Sequence, residues 1–245
     1  MNRGIFTVLE NSKVADRTFR MELTGDVSEI KRPGQFVNIK IEGFFLRRPI
    51  SVCDIRGNIL TIIYKTVGSG TEKMSAMHGG EKLDVLCGLG NGYDTGRSGG
   101  NPVLIGGGVG VPPLLFLTKK LVSEGKKVRV LLGFNTATEV FLEKEFTDAG
   151  ASAEVATADG SYGAKGFVTD IIGNEDYSYF YACGPEAMLR AVYFKTATDG
   201  QMSFERRMGC GFGACMGCTC RTVTGSKRIC REGPVLEKGE IVWGD

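Results

Sequence analysis

The sequence predicts an α+β multidomain protein with three parts. An antiparallel β-barrel at residues 1–97 precedes a doubly wound parallel α/β domain at 98–200 and a small C-terminal domain at 201–245. Short runs of alternating apolar residues fill the first part, and apolar runs alternate with helical periodicity in the second. Five of the eight cysteines fall within residues 210–230, which marks the third part as a site for metal chemistry.

Composition excludes several classes of function. The net charge of +2 predicts neither a nucleic-acid footprint nor a polybasic membrane patch, and no apolar run is long enough to span a membrane. The start of the chain lacks an apolar signal run, and the cysteines are clustered rather than spread as a disulfide framework. These features indicate thiolate ligands in a reducing cytoplasm. With one histidine in the chain, a histidine-based metal site or a Ser–His–Asp system is disfavoured.

The barrel is predicted from evenly spaced short strands with Gly and Pro between them. The strands are expected at residues 4–10, 18–23, 35–41, 50–54, 59–64 and 82–86, with a short helix at 71–77. Several of these strands show alternating apolar residues, for instance Phe36, Ile39 and Ile41 within the third.

Two stretches of the barrel carry residues suited to a flavin nucleotide. Arginine and hydroxyl groups at a strand start can hold a pyrophosphate, and a glycine-rich turn that opens a helix offers free amides to phosphate. A strand entry with surface charge and an ordinary helix start are the simpler interpretations. In their order along the chain, however, the motifs resemble the FAD-binding barrel of the ferredoxin–NADP reductase superfamily. The candidate residues are Arg48, Pro49, Ile50, Ser51, Ile63, Tyr64, Lys65, Gly70 and Thr71.

The second part alternates strands with helices, which predicts a parallel sheet whose ligands bind at the carboxyl ends of its strands. Strands are expected at residues 102–105, 128–134, 153–157 and 179–182, and helices at 114–123, 137–149, 167–172 and 186–198. The first strand enters a glycine-rich loop that departs from the Gly-x-Gly-x-x-Gly fingerprint. The dinucleotide-binding candidates in this loop are Gly106, Gly107, Gly108 and Gly110.

A second motif in this part supports nucleotide binding. The turn Cys183-Gly184-Pro185 resembles the Cys-Gly-Pro turn that lies beside the nicotinamide ring in the reductase superfamily. The resemblance implies a catalytic role for Cys183 and cofactor contacts for Gly184 and Pro185, although a buried thiol at a strand end is the simpler alternative. Residues 157–161 contain Asp159 and no arginine for a 2′-phosphate, which favours NAD over NADP.

The cysteine-rich segment has the Cys-x4-Cys-x2-Cys…Cys spacing of a plant-type [2Fe–2S] site. Its expected ligands are Cys210, Cys215, Cys218 and Cys230. A zinc site of four thiolates is the rival interpretation, but zinc ribbons pair two Cys-x2-Cys units and this chain has one. Cys220 is left out because its side chain is expected to point away if a strand has begun there. A short strand or interface edge is expected at 204–208, and a hairpin at 221–224 and 227–229 turning at 225–226.

Residues 205–218 and 230–235, together with the order of the three parts, closely resemble the family of electron-transfer subunits of dihydroorotate dehydrogenase B, the NAD-linked bacterial type. The resemblance covers essentially the whole chain. Flavin and cluster subunits of bifurcating transhydrogenases and of sulfhydrogenases share this domain order. A stand-alone NADH diaphorase and a zinc-folded regulator without catalytic activity are the two remaining alternatives.

The resemblance also implies a partner and a direction of electron flow. An FMN-containing catalytic subunit would oxidise dihydroorotate in pyrimidine biosynthesis, in a cytoplasmic heterotetramer with two copies of each chain. Electrons would then pass through the [2Fe–2S] cluster and FAD of this chain to NAD. The flanks of the cysteine loop, Phe212, Met216, Arg206 and Arg207, would face that partner, or else the arginines form a solvated basic face.

Overall fold

The first part of the chain is a closed six-stranded antiparallel barrel in the computed structural model, which describes residues 1–173 and 176–243. This confirms the predicted architecture. Around the barrel the order is β1-β2-β5-β4-β3-β6, and a short helix follows β5. The elements are β1 Asn2–Ala15, β2 Thr18–Thr24, β3 Phe36–Lys40, β4 Arg48–Arg56, β5 Ile59–Lys65, α1 Ser69–Ser75 and β6 Lys82–Leu89.

Strand β1 is twice as long as expected because it has two partners. Residues 2–7 pair with β6, and residues 7–15 pair with β2. One strand therefore closes the barrel at its first half and extends the sheet with its second. Alternation alone does not reveal this length, since the second half of β1 is mostly exposed.

The second part is a parallel α/β unit with helices on both faces of the sheet, as predicted. Its elements are β7 Val103–Gly107, α2 Pro112–Ser123, β8 Arg129–Phe134, α3 Glu143–Asp148, β9 Ser152–Thr157, β10 Ala164–Lys165, β11 Phe180–Cys183, α4 Glu186–Lys195 and β12 Gly200–Ser203. Short 3-10 turns occupy Thr95–Arg97, Gly108–Gly110, Ala137–Glu139 and Val168–Ile171.

The predicted helix over 137–149 was wrong in its extent. A 3-10 turn at Ala137–Glu139 is separated from α3 by a break at Leu142, whose φ is 68°. Both Phe141 and Leu142 are buried, so tertiary packing overrides the helical pattern at this point. Residues 167–172 likewise form only a 3-10 turn, and α4 ends at Lys195 rather than at 198.

The C-terminal segment adds β13 Thr219–Thr222, β14 Gly225–Arg228, β15 Val235–Glu237 and a 3-10 turn at Lys238–Glu240. The expected strand at 204–208 was wrong, because the strand ends at Ser203. The hairpin exists, but it turns at 223–224. Gly225 already pairs with Thr222, whose hydroxyl donates to the Gly225 carbonyl at 2.7 Å.

The seven-stranded sheet runs β10-β9-β8-β7-β11-β12-β15, with β15 antiparallel to β12. The predicted boundary at 200/201 stays a prediction, and strands from both sides of it share this sheet. One core fills the barrel. A second packs α2 and α3 on one face of the parallel sheet, and a third packs α4 and the cysteine segment on its other face. None of the helices among the described residues is long and apolar enough to cross a membrane.

Candidate functional site

The two flavin motifs of the barrel meet in space. Arg48 opens β4, and its guanidinium lies so close to the first turn of α1 that a Cβ on Gly70 would come within 2.3 Å of Arg48 Nε. The same guanidinium stacks 4.8 Å from the centre of the Phe44 ring, and its one hydrogen bond among the described residues goes to the Leu46 carbonyl. Arg48 is therefore placed against the start of α1 with a charge that can pair with a phosphate.

The neighbouring arginine has a different role, so the two arginines do not form a fork. Arg47 donates to Asp84 Oδ1 at 2.9 Å and to the carbonyls of Asp84 and Asn38 at 3.0 and 3.2 Å. Hydrogen bonds from Arg3 and Arg47 hold the pKa of the Asp84 carboxyl below its usual range. Arg47 thus ties the barrel strands together, and Arg48 alone remains for a ligand.

Other barrel candidates are committed to contacts within the protein. Tyr64 is buried and donates to Asn11 Oδ1 at 3.0 Å, and burial raises the pKa of its phenol to about 12. The Thr71 hydroxyl accepts from the amides of Val67 and Gly68, which caps α1. Pro49, Ile50 and Ser51 are half-buried beside Arg48, while Ile63 lies in the core shared with α2. Their roles toward a flavin stay predictions.

A cavity of about 420 Å³ lies at the carboxyl ends of β7, β8 and β11. This is where a doubly wound sheet binds its ligand. Of the candidates, Gly107, Gly108 and Pro185 line it. Gly106 and Gly110 instead face protein, because a Cβ would lie 2.9 Å from Val111 at the first position and 2.3 Å from the Cys183 carbonyl at the second.

The structure adds cavity residues that sequence reasoning missed. Asn135 and Glu139 follow β8. The backbone N–H and the side-chain amide of Asn135 both donate to Glu139 Oε2. Glu139 also accepts from Lys65 of the barrel at 2.8 Å, so a barrel candidate reaches the rim of the nucleotide cavity. The rule that ligands bind at strand ends points to Asn135, but no signal in the sequence pairs Lys65 with Glu139.

Cys183 is buried behind this cavity, with 3% of its surface exposed. It lies beside Tyr93 and Ser203, and burial raises the pKa of its thiol to about 12. The thiol is therefore neutral, and its predicted catalytic role stays a prediction. In the loop after β9, Asp159 accepts from the Ser161 amide and hydroxyl at 2.9 and 2.6 Å, which lowers the pKa of its carboxyl.

The four expected iron ligands form two neighbouring pairs. Cys210 and Cys215 exchange amide-to-sulfur hydrogen bonds of 3.4 Å, and the Cys230 amide donates to Cys218 Sγ at 3.4 Å. The Ala214 amide adds a further contact of 3.2 Å to Cys210 Sγ. Amides aimed at sulfur are typical of a segment that stabilises thiolates.

The electrostatics of the Cys210 thiol agree with this arrangement. Burial raises its pKa, but amide hydrogen bonds from Phe212, Cys215 and Ala214 outweigh burial and lower the pKa to about 6. Burial raises the pKa of the Cys230 thiol to about 12 and also raises that of Cys220, which lies half-buried on β13, so the pKa does not separate these two. Sulfur contacts thus single out the same four cysteines as the spacing does.

Two pairs of thiols fit a binuclear cluster better than a single ion. Four thiolates hold a [2Fe–2S] cluster, two at each iron, whereas structural zinc needs four ligands that converge on one point. The arrangement therefore disfavours the zinc alternative.

The cysteine loop is seated on the flavin barrel. Phe36 of β3 packs in the same core as Cys218 and Cys230, and the Asn38 side chain donates to the Cys210 carbonyl at 3.3 Å. Strand β3 pairs with β4 at Arg48, so the cysteine loop and the flavin motif lie on adjacent strands.

Comparison with known proteins finds two family models in the chain and relatives that match nearly its whole length. Residues 205–242 match the iron–sulfur cluster binding domain of dihydroorotate dehydrogenase B, and residues 104–193 match the oxidoreductase NAD-binding domain. The dihydroorotate dehydrogenase B (NAD(+)) electron transfer subunit of Geobacillus sp. (strain WCH70) is 43% identical over 99% of both chains. The corresponding subunit of Fusobacterium nucleatum is 44% identical over 96% of both chains.

Solved structures show the same fold. A chain of the NADH-dependent reduced ferredoxin–NADP oxidoreductase, described in connection with flavin-based electron bifurcation, is 28% identical. It superposes with a TM-score of 0.89 over 98% of this chain and 90% of that one. An Amycolatopsis cytochrome P450 reductase is 21% identical, with a TM-score of 0.68 over 80% of this chain and 67% of that one, which shows the fold of the first two parts.

Proposed function

Because the chain belongs to the family of NAD(+)-linked dihydroorotate dehydrogenase B electron transfer subunits, we propose that it delivers electrons from a partner dihydroorotate dehydrogenase to NAD⁺. The observation that carries the proposal is that the cysteine loop contacts barrel strand β3, which pairs with the strand that begins at Arg48. FAD and a [2Fe–2S] cluster, when bound, supply the conversion between single-electron transfer and hydride transfer.

The chain's own residues position these groups. Arg48 and the start of α1 present a positive charge and free amides to a flavin pyrophosphate, with Gly70 giving the room that a side chain would fill. Cys210 with Cys215, and Cys218 with Cys230, each offer a pair of sulfur ligands, and loop amides donate hydrogen bonds to three of these sulfurs. The cavity at the ends of β7, β8 and β11 takes the dinucleotide.

We propose an FMN-containing catalytic subunit as the partner, in a cytoplasmic heterotetramer with two copies of each chain. The relatives are named as electron transfer subunits, which supports a separate catalytic chain. Phe212 and Met216 are exposed apolar side chains on the cysteine loop and suit a protein contact there. Arg206 is paired with Glu186 at 2.7 Å, so Arg207 is the arginine of this flank left to meet the partner.

Purification with and without the catalytic subunit tests the proposal. The chain should contain about two irons and be yellow-brown, and NADH formation from dihydroorotate should require both chains. A colourless zinc protein, or a complex that does not reduce NAD⁺ with dihydroorotate, would contradict it. The Asp159 loop predicts that NADH reduces the bound flavin faster than NADPH does; faster reduction by NADPH would overturn the choice of NAD.

The solved structure from a bifurcating oxidoreductase favours one second candidate, a flavin and iron–sulfur subunit of a transhydrogenase. Its identity of 28% is lower than the 43% and 44% of the dihydroorotate dehydrogenase subunits, which ranks it second. Two activity assays on the same purified chain distinguish the two candidate functions. Dihydroorotate-dependent NADH formation identifies the first function, and ferredoxin-dependent reduction of nicotinamide without any response to dihydroorotate identifies the second.

A further inference from the structure

Two side chains on the outer face of strand β3, Phe36 and Asn38, contact the cysteine segment. Val37 and Ile39 point into the barrel core, so Phe36 and Asn38 point to the other side. Phe36 packs with Cys218 and Cys230, which is apolar contact at one end of the cysteine segment. Asn38 faces the other end, at Cys210. The outer face of this one strand therefore touches both halves of the ligand set.

The contact of Asn38 with the cysteine loop depends on a close backbone approach. Asn38 is 1% exposed, and its Nδ2 donates to the Cys210 carbonyl at 3.3 Å. The next residue, Gly211, has a φ of 78°, and a Cβ there would lie 2.2 Å from Asn38 Nδ2. A residue with a side chain at 211 would displace the amide. The loop and the strand are thus fitted to each other at this point.

The backbone of Asn38 is held from the barrel side. Its carbonyl accepts from Arg47, which is itself paired with Asp84 on β6. It also pairs with Pro49 of β4, the residue between Arg48 and the rest of the flavin motif. The side chain that contacts the cysteine loop therefore belongs to a strand position that is paired with the flavin motif.

Stability does not account for this asparagine. Asn38 Oδ1 is buried and has no hydrogen-bond partner within the described residues. A buried acceptor without a donor costs free energy, and an apolar side chain of similar shape would avoid that cost. An apolar residue at 38 would also match its neighbours in the strand. A polar side chain at this position is therefore explained better by its contact with the loop than by packing.

We propose that Asn38 is a positioning residue that holds the Cys210 end of the cysteine loop on the flavin barrel and thereby tunes the reduction potential of the bound cluster. It acts through the Cys210 peptide, which it anchors. The loop amides of Ala214 and Cys215 reach Cys210 Sγ only if that peptide stays in place. Hydrogen bonds to the sulfurs stabilise the more negative, reduced cluster and raise its potential. The inference rests on the proposed cofactors.

Asn38→Leu tests the proposal, because leucine keeps the shape and removes the donor to Cys210. The full chain with both cofactors is titrated for the potentials of the cluster and of FAD, with iron content and thermal unfolding measured alongside. Asn38→Leu should retain iron and FAD, shift the cluster potential to more negative values, leave the FAD potential unchanged and keep the unfolding temperature at or above that of the unmodified chain. A cluster potential equal to that of the unmodified chain would overturn the proposal.

The same substitution at an exposed asparagine is the matched control. Asn58 donates only to Thr24 Oγ1, at the far end of β4 from Arg48, so Asn58→Leu should leave the cluster potential unchanged. If Asn38→Leu holds no iron, the smaller Asn38→Ser is titrated by the same criteria. Loss of iron from both variants with FAD retained would support the proposal that Asn38 holds the cysteine loop in place. Loss of FAD together with iron would overturn that proposal. An unmodified chain without iron or FAD would instead refute the proposed function.

Discussion

The chain contains two glycine-rich loops, one at the proposed nucleotide site and one at the proposed cluster site, and glycine has a different role in each. At the end of β7 and in the turn that follows it, Gly106 and Gly110 are buried, and a Cβ would lie 2.9 and 2.3 Å from neighbouring protein atoms. In the cysteine loop, Gly211 and Gly213 have φ values of 78° and 92°, and their nearest neighbours are the side chains of Asn38 and Arg231. Close packing therefore requires Gly106 and Gly110 in the first loop, whereas positive φ values favour glycine at 211 and 213 in the second.

The difference follows from what each loop has to present. A dinucleotide lies across the ends of a parallel sheet, so the nucleotide loop must be thin enough for helix, strand and ligand to approach one another. A cluster is held by sulfur, so the cysteine loop must turn repeatedly to direct its amides at thiols. A Gly→Ala substitution should therefore destabilise the first loop mainly by a steric clash and the second mainly by backbone strain.

The largest expected effect is in the nucleotide loop. The Cβ of Gly110→Ala would lie 2.3 Å from the Cys183 carbonyl, and backbone atoms there cannot move aside as a flexible side chain can. Overpacking of this kind costs about 3 kcal/mol. We expect the free energy of unfolding, measured by denaturant titration, to fall by about that amount.

Gly108→Ala in the same loop is the control for this prediction. Gly108 has a φ of 51° and open space around it, so only backbone strain of about 1 kcal/mol is expected. If both variants lost the same free energy of unfolding, backbone conformation rather than steric clash would determine the destabilisation in this loop.

The second effect is confined to the cysteine loop. Cys230→Ser removes one thiolate from the pair with Cys218 and should abolish the cluster absorbance while FAD absorbance remains. Cys220→Ser should keep both spectra, because no amide contact ties Cys220 to the other four cysteines in the described chain. Retention of the cluster in Cys230→Ser and its loss in Cys220→Ser would reassign the fourth ligand. Absorption spectra and iron content measure both outcomes.

Local patterns predicted the features that depend on short stretches of chain. Alternation indicated the barrel and the parallel sheet, and the cysteine spacing selected four thiols that the structure arranges in two pairs. Spacing is informative here because all but one of those residues share a single turn-rich loop. The same locality explains why the glycine loop and the Cys183 turn were located correctly at strand ends.

Features that depend on distant partners were missed. The motif named Arg48 as a flavin candidate, but no signal in the sequence pairs Arg47 with Asp84 on another strand. Strand β15 has three residues and exists because β12 offers it an edge. The break at Leu142 follows from burial of Phe141 and Leu142, which overrides a helical pattern. In each case a tertiary contact outweighs the local preference.

The smallest expected effect tests whether the cysteine loop depends on its contact with the barrel or only on its turns. Gly211→Ala carries backbone strain of about 1 kcal/mol and also displaces the Asn38 amide, which lies 2.2 Å from the added Cβ. Gly43→Ala is the matched control, because Gly43 has a similar φ of 83° with nothing within 4 Å. Both variants should lose similar stability by thermal unfolding, but only Gly211→Ala should change the visible circular dichroism of the cluster. An unchanged cluster spectrum in Gly211→Ala would mean that the turn alone shapes the site, since the displaced Asn38 would then have no influence on it.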